Sequence, residues 1–265
     1  MKSEELALKV RQHCIKMVNH AHASHIGGAL SCADILAVLY AEIAKFDCKN
    51  PKWSERDRII LSKGHNGIAI YAVLSECGFF PIDKLSHYAD NGSSLSCHVS
   101  HKDVPGVEFS TGSLGHGVSV ACGMALNAKI RNQKYRVFAI VGDGECNEGC
   151  VWEMAMLSAQ HNLDMFTVIV DCNGMQAMGN CKNIIDMESM ADKWRSFGWH
   201  CIETDGHNHQ KLKEAFLEES NGKPKVILAR TIKGKGVSFM ENQLLWHYRD
   251  PQGEFFDRAM KELGC

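Results

Sequence analysis

Apolar positions in the first twenty residues recur at helical spacing: Leu6, Val10, Cys14, Met17 and Val18 fall on one stripe with charged residues between them. That pattern predicts an amphipathic helix over residues 3–19 with the stripe facing a core. After the turn at Gly27-Gly28, Ser31 followed three residues later by Asp34 reads as a loose capping box and predicts a helix through Ala44. Arg58–Leu61 is a short apolar run with strand character, followed by a Gly-His-Asn-Gly turn and a helix over residues 68–76. This helix should end before Gly78-Phe79-Phe80-Pro81, because Gly favours a C-terminal cap and Pro cannot continue the hydrogen bonding.

Beyond Pro81 the chain is rich in Ser, Asn, Gly and His as far as Thr111. A long irregular segment inside a compact unit is more often functional than idle. Helical spacing returns from Gly112 to about Arg131, where Val118, Cys122, Ala125 and Leu126 share a face and small residues permit close packing. Val137–Val141 is a continuous apolar run, too short for a helix and bounded by Gly142, which predicts a buried parallel strand. The alternation continues with helix 152–161, strand 165–170, helix 190–197, strand 199–202, helix 210–220 and strand 226–229. Such an order predicts an α/β fold: a parallel sheet with helices on both faces.

Composition narrows the function. With 265 residues, 45% of them hydrophobic, and no Pro-rich or Ser-rich linker, a single domain over residues 1–265 is expected. A net charge of −2 gives no electrostatic case for nucleic acid or an anionic membrane, and favours a small polar substrate. No run approaches the ~18 apolar residues of a membrane span. Charges throughout the N-terminus, such as Lys2, Glu4, Glu5 and Lys9, leave no room for the apolar centre of a secretory signal. The twelve cysteines form no Cys-x-x-Cys pair, so they suggest neither a zinc knuckle nor a disulfide framework and read as free thiols of a cytoplasmic protein.

The most informative segment is Gly142-Asp143-Gly144, which closes one predicted strand; residues 145–172 then separate it from Asn173, which closes the next. In a parallel α/β sheet both positions emerge at the carboxyl ends of the strands, where ligands collect. Hard oxygen ligands from an Asp and an Asn suit magnesium, whose coordination is commonly completed by phosphates. Gly144 lets the backbone approach a phosphate, and the helix that follows offers unpaired N–H groups. The expected ligand is a diphosphate with its metal.

That spacing is characteristic of the thiamine-diphosphate motif, and Gly-Asp-Gly-Glu-Cys-Asn-Glu-Gly-Cys-Val-Trp-Glu, residues 142–153, resembles the corresponding stretch of transketolases. Ser24-His25-Ile26-Gly27-Gly28 with Leu30-Ser31 is similar to the family's N-terminal histidine motif, and Arg56-Asp57-Arg58 with Leu61-Ser62-Lys63-Gly64-His65 to its second. Thr111-Gly112-Ser113-Leu114-Gly115-His116-Gly117 resembles its cofactor-contacting loop, and Lys233-Gly234-Lys235-Gly236 with Trp246-His247 a late motif. Two positions depart: His98 stands in Ser-Cys-His-Val where the family usually has Gly-His-Pro, and His116 stands where many transketolases have Gln.

The resemblance implies a thiamine-diphosphate-binding fold and a role for each matched residue. Asp143, Asn173 and the main-chain carbonyl of Met175 would hold magnesium, or calcium or manganese in its place. His65, Gly112, Leu114, Gly115 and Gly144 would contact the cofactor, and His25, His98 and His247 would line the channel to the reacting carbon. Imidazoles there can donate hydrogen bonds to sugar oxygens and exchange protons. Glu148 would stand at a subunit interface near the cofactor. His13, His20, His22, His101, His161, His200, His207 and His209 read as surface or satisfied core residues, and nothing in the sequence assigns His87 a role.

In transketolases the cofactor lies between this diphosphate-binding domain and a pyrimidine-binding domain that supplies the activating glutamate. The chain stops at Cys265 with no second set of strands. The expected partner is a separate C-terminal subunit, in an α2β2 assembly that acts on sugar phosphates by transfer of a two-carbon ketol unit. Three other readings remain: a transketolase specialised for branched or sulfonated sugars, an alpha subunit of a 2-oxo acid dehydrogenase or decarboxylase, and a non-catalytic cofactor-binding module.

Overall fold

The computed structural model describes the whole chain, Met1–Cys265. Five strands form one sheet: β1 (Arg58–Leu61), β2 (Val137–Gly142), β3 (Phe166–Cys172), β4 (His200–Asp205) and β5 (Lys225–Arg230). All neighbours are parallel, in the order β1-β2-β3-β5-β4. The expected parallel sheet with helices on both faces is therefore present, and every predicted strand lies in it.

Alternation along the strands divides the core. Phe138, Ile140, Ile169 and Ile227 face one cluster, which they share with α1 (Ser3–Ala21), α3 (Ala33–Val38), α4 (Gly67–Glu76), α9 (His209–Leu217) and α10 (Glu254–Glu262). Val137, Ala139, Val141, Val168 and Val170 face the other, against α5 (His116–Ile130), α6 (Gly149–Gln160) and α8 (Met190–Ser196). In α1 the predicted stripe Leu6, Val10, Cys14, Met17 and Val18 is buried, and Glu4 and Glu5 in the first turn suit the helix dipole.

Three local expectations need correction. Ser31 does not cap a helix. It closes the short helix α2 (Ile26–Ser31), and its hydroxyl is drawn to the buried Asp171 carboxylate at 2.5 Å. Asp34 pairs with Arg11, His207 and His209 instead, and the helix expected through Ala44 is present without that cap, as α3 running directly into a π-helical turn, Leu39–Ile43. The helix expected from Gly112 begins only at His116, because Gly115 is left-handed at φ 77° and residues 112–115 form a loop. The helix α10 was not foreseen, although Phe255, Phe256, Ala259 and Leu263 repeat at helical spacing.

Candidate active site

The carboxyl ends of β1, β2, β3 and β5 place Lys63, Asp143, Asn173 and Lys233 around one cleft of about 320 Å³. Gly142 of β2 is in register with Asp171 of β3, so Asp143 and Asn173 leave the sheet side by side. The Asp143 carboxylate accepts backbone N–H groups from Gly144 at 2.8 Å and Gly174 at 2.6 Å. Burial pushes the Asp143 carboxyl up despite these bonds, and Asp171 adds to it. Asn173 Oδ1 accepts from the Met175 N–H at 3.1 Å.

Both lysines sit beneath the cleft. Lys233, only 2% exposed, donates to the Met175 and Gln176 carbonyls, each at 3.3 Å, and to His247 Nδ1 at 2.8 Å. Burial, then Lys63, lowers its pKa to about 8. Lys63 pairs with Asp171 in the interior.

Four histidines converge above this floor. The ring of His25 is 5.0 Å from those of His65 and His247 and 6.2 Å from that of His98. His25 is held in a left-handed conformation at φ 72°. Such backbone costs about 1–3 kcal/mol and persists only where its surroundings fix it. Here the His25 N–H donates to the His247 carbonyl at 2.7 Å, and Asn66 Nδ2 donates to the His25 carbonyl at 3.0 Å. The loop bearing His98 is anchored in turn: the Val99 N–H donates to the Gly64 carbonyl, and the Tyr71 hydroxyl to the His98 carbonyl. Gly64 is required at this crossing, since a Cβ there would stand 2.2 Å from the Thr111 carbonyl oxygen.

Burial keeps the imidazoles of His25, His65 and His247 neutral. His25 falls to about 4, with His98 and Lys233 contributing after burial, and His247 to about 4, with Lys233 next. His65 falls to about 2, with Lys63 the next cause. Neutral rings each carry one N–H donor and one acceptor, so each can donate a hydrogen bond and take up a proton.

The loop expected to contact a cofactor is built on a carboxylate that sequence reasoning missed. Glu145, 2% exposed, accepts from Ser62 Oγ at 2.5 Å, the Gly115 N–H at 2.8 Å and the Gly142 N–H at 3.2 Å. It ties the ends of β1 and β2 to the start of α5. Gly112, Leu114 and Gly144 line the cleft, whereas Gly115 lies behind it, bound to Glu145. Glu148 is exposed at the N-terminus of α6, outside the cleft lining. His116 is also exposed, and His207 and His209 pack half-buried on Asp34; His207 is paired at both ring nitrogens, whereas His209 Nδ1 is buried without a partner.

This donor set fits a divalent metal with a diphosphate. It offers hard carboxylate, amide and carbonyl oxygens for the metal and ammonium groups for the phosphates. Asn66 Oδ1, on a cleft-lining residue, is buried without a partner. Lys63, Lys233, Asn66, Gln176 and Tyr248 join the predicted residues in the lining. Lys63 and Lys233 lie within motifs visible in the sequence; Tyr248 carries no such signal.

Residues 2–251 match the family description "Transketolase, thiamine diphosphate binding domain". The chain is 40% identical to the 6-deoxy-6-sulfo-D-fructose transketolase subunit SqwG of Clostridium sp. (strain MSTE9), over 96% of this chain and 93% of that protein. It is 38% identical to a subunit of the apulose-4-phosphate transketolase of Phocaeicola vulgatus, over 96% of this chain and 91% of that protein. The crystal structure of transketolase from Campylobacter jejuni superposes with a TM-score of 0.94 at 29% identity, covering 99% of this chain; the chain spans 42% of that structure's length. No helix is long and apolar enough to cross a membrane. A family match over nearly the whole length, on a sheet whose carboxyl ends gather the matched residues, identifies the chain as a member of the transketolase family containing its thiamine-diphosphate-binding domain.

Proposed function

We propose that this chain is the diphosphate-binding subunit of a two-subunit transketolase, transferring a two-carbon ketol unit from a ketose to an aldose. The observation that carries the reading is the convergence of Asp143 and Asn173, at the ends of adjacent strands, with four histidines over one cleft.

In this reading Asp143, Asn173 and the Met175 carbonyl hold magnesium, while Gly144, His65, Gly112 and Leu114 stand against the cofactor and Lys233 serves its diphosphate. Bound thiamine diphosphate supplies the electron sink that lets the carbon–carbon bond beside a ketose carbonyl break and re-form. The chain's own groups orient the sugar and move protons. His25, His98 and His247 donate N–H groups to the carbonyl and hydroxyl oxygens and take protons back as those oxygens change charge. Lys233 holds the His247 ring through Nδ1. Glu148, exposed beside the Gly115 turn, faces the partner that completes the site.

The partner is a separate chain carrying the pyrimidine-binding domain, the assembly is α2β2, and the compartment is the cytoplasm. Two relatives at 38–40% identity are named as subunits of transketolases for a sulfonated and a branched sugar, which favours a specialised sugar as the second reading of substrate.

The test is to purify the chain alone and with a candidate partner, then assay ketol transfer with thiamine diphosphate and Mg2+. Activity is expected only in the mixture, and full activity of the isolated chain would sink the split-enzyme reading. Asp143→Ala should abolish metal-dependent cofactor binding; unchanged affinity would mean the metal site is misassigned.

A further inference from the structure

Asp171, in the middle of the sheet on β3, is fully buried, and the chemistry proposed for the cleft gives it no task. Its Oδ1 accepts from Thr231 Oγ1. Its Oδ2 accepts from Lys63 Nζ, from Ser31 Oγ at 2.5 Å and from Asn173 Nδ2 at 3.3 Å. One carboxylate thus gathers the ends of β1, β3 and β5 and helix α2.

Every group that meets this carboxylate from β1, α2 and the end of β5 is a donor: the Lys63 ammonium, paired with it in the interior, and the hydroxyls of Ser31 and Thr231. An ionised carboxylate only accepts hydrogen bonds. Ser31 has one hydroxyl proton, and the charged oxygen at 2.5 Å takes it in preference to the Gly28 carbonyl at 3.0 Å. The Ser31 oxygen is then an acceptor toward Asn173 Nδ2, 3.3 Å away.

The Asn173 amide therefore meets two acceptors on its inner side. A flipped amide would set its carbonyl oxygen against a carboxylate and strand its NH2 against the Met175 N–H, two repulsive contacts in a low-dielectric interior. Only one orientation is satisfied, with Nδ2 inward and Oδ1 toward Met175 N and the cleft. We infer that Asp171, acting with Ser31, is a positioning residue that fixes the amide orientation of Asn173 and so presents Asn173 Oδ1 as a metal ligand. The inference rests on the metal role proposed for Asn173. Lys63 supports it from behind, as the counter-charge that keeps Asp171 an acceptor.

Groups of this kind, one step removed from a metal, typically change metal affinity by about 10- to 100-fold when removed. The test measures thiamine-diphosphate binding by calorimetry as a function of Mg2+, in the assembled complex of this chain with its partner. Ser31→Ala and Asp171→Asn should each raise the Mg2+ needed for half-saturation at least tenfold, with circular dichroism unchanged. In an Asn173→Ala background the same substitutions should add little, because their effect passes through the amide. An unchanged Mg2+ requirement, or losses that add in full to that of Asn173→Ala, would overturn the inference in favour of a merely structural role. Should Asp171→Asn fail to fold for want of a partner to Lys63, Ser31→Ala carries the same test with both charges in place. Wild-type complex without metal-dependent cofactor binding would overturn the proposed function as well; a metal-dependent wild type with unaffected variants overturns this inference alone.

Discussion

Lys233 Nζ lies 2.8 Å from Nδ1 of His247, and because an ammonium has no acceptor the hydrogen bond runs from lysine to ring. The neutral imidazole must then carry its proton on Nε2. Lys233 thereby selects the tautomer of His247 and, through the Met175 and Gln176 carbonyls, steadies the loop beside Asn173. Lys233→Met removes a charge-assisted bond worth about 1.5–3 kcal/mol, so kcat/KM of the assembled enzyme should fall by roughly tenfold to a hundredfold. Steady-state assays beside a circular-dichroism check of the fold decide the point, and unimpaired kinetics would remove Lys233 from the machinery.

The neutral histidines make the protein acid-sensitive. Burial lowers His25 and His247 from 6.5 to about 4 and His65 to about 2. Their folded values lie below the unfolded one, so over that interval the unfolded chain binds more protons and stability rises with pH. The contribution is complete above about pH 6.5 and is withdrawn as pH falls toward 4, with His65 continuing toward 2. Thermal melts should therefore show a steady Tm between about pH 8 and 7 and a decline between about pH 6.5 and 4.5. His65→Gln removes one of these groups and should flatten the decline; an identical slope would contradict the assignment.

Asp34 presents the opposite case, a buried charge whose value is structural. Its carboxylate accepts from Arg11 at 2.6 Å, His207 Nδ1 at 2.6 Å and His209 Nε2 at 3.0 Å, and His207 Nε2 accepts from the Ile232 N–H at 2.8 Å. The cluster fastens α1 and α3 to the loops after β4 and β5. Asp34→Ala leaves Arg11 buried without a counter-charge, a change that costs about 3–5 kcal/mol. Urea unfolding should register a loss of that size, measured as a fall in midpoint at constant m-value.

How much of this could be read from the sequence depended on how local each cause was. The strands were legible because a buried parallel strand is a short continuous apolar run, and Val137–Val141 ends at a glycine that marks the turn. Asp143 and Asn173 were singled out by their places at predicted strand ends together with the spacing between them. The supporting charges were not legible: Lys63 and Asp171 are 108 positions apart, and neither has meaning until β1 and β3 are known to flank β2. Ser31 was misread for the same reason. Its spacing to Asp34 is that of a cap, but a carboxylate 140 residues away competes for the hydroxyl and wins.

Tyr248 is the one large aromatic ring on the cleft wall, 63% exposed, packed edge-on 4.8 Å from His247 and lying 6.1 Å from His25. It stands at the mouth rather than on the floor, so it can meet a substrate without supporting the cofactor. An exposed ring contributes little to the fold, and Tyr248→Ala should leave Tm within about 1 °C, consistent with a surface change of under about 0.5 kcal/mol. Contact with the sugar would appear as a KM for the ketose raised several-fold at nearly constant kcat, the signature of binding lost equally from ground and transition states. Affinity for thiamine diphosphate should not change. Weakened association with the partner, at an unchanged KM, would instead assign the ring to the interface between the two chains.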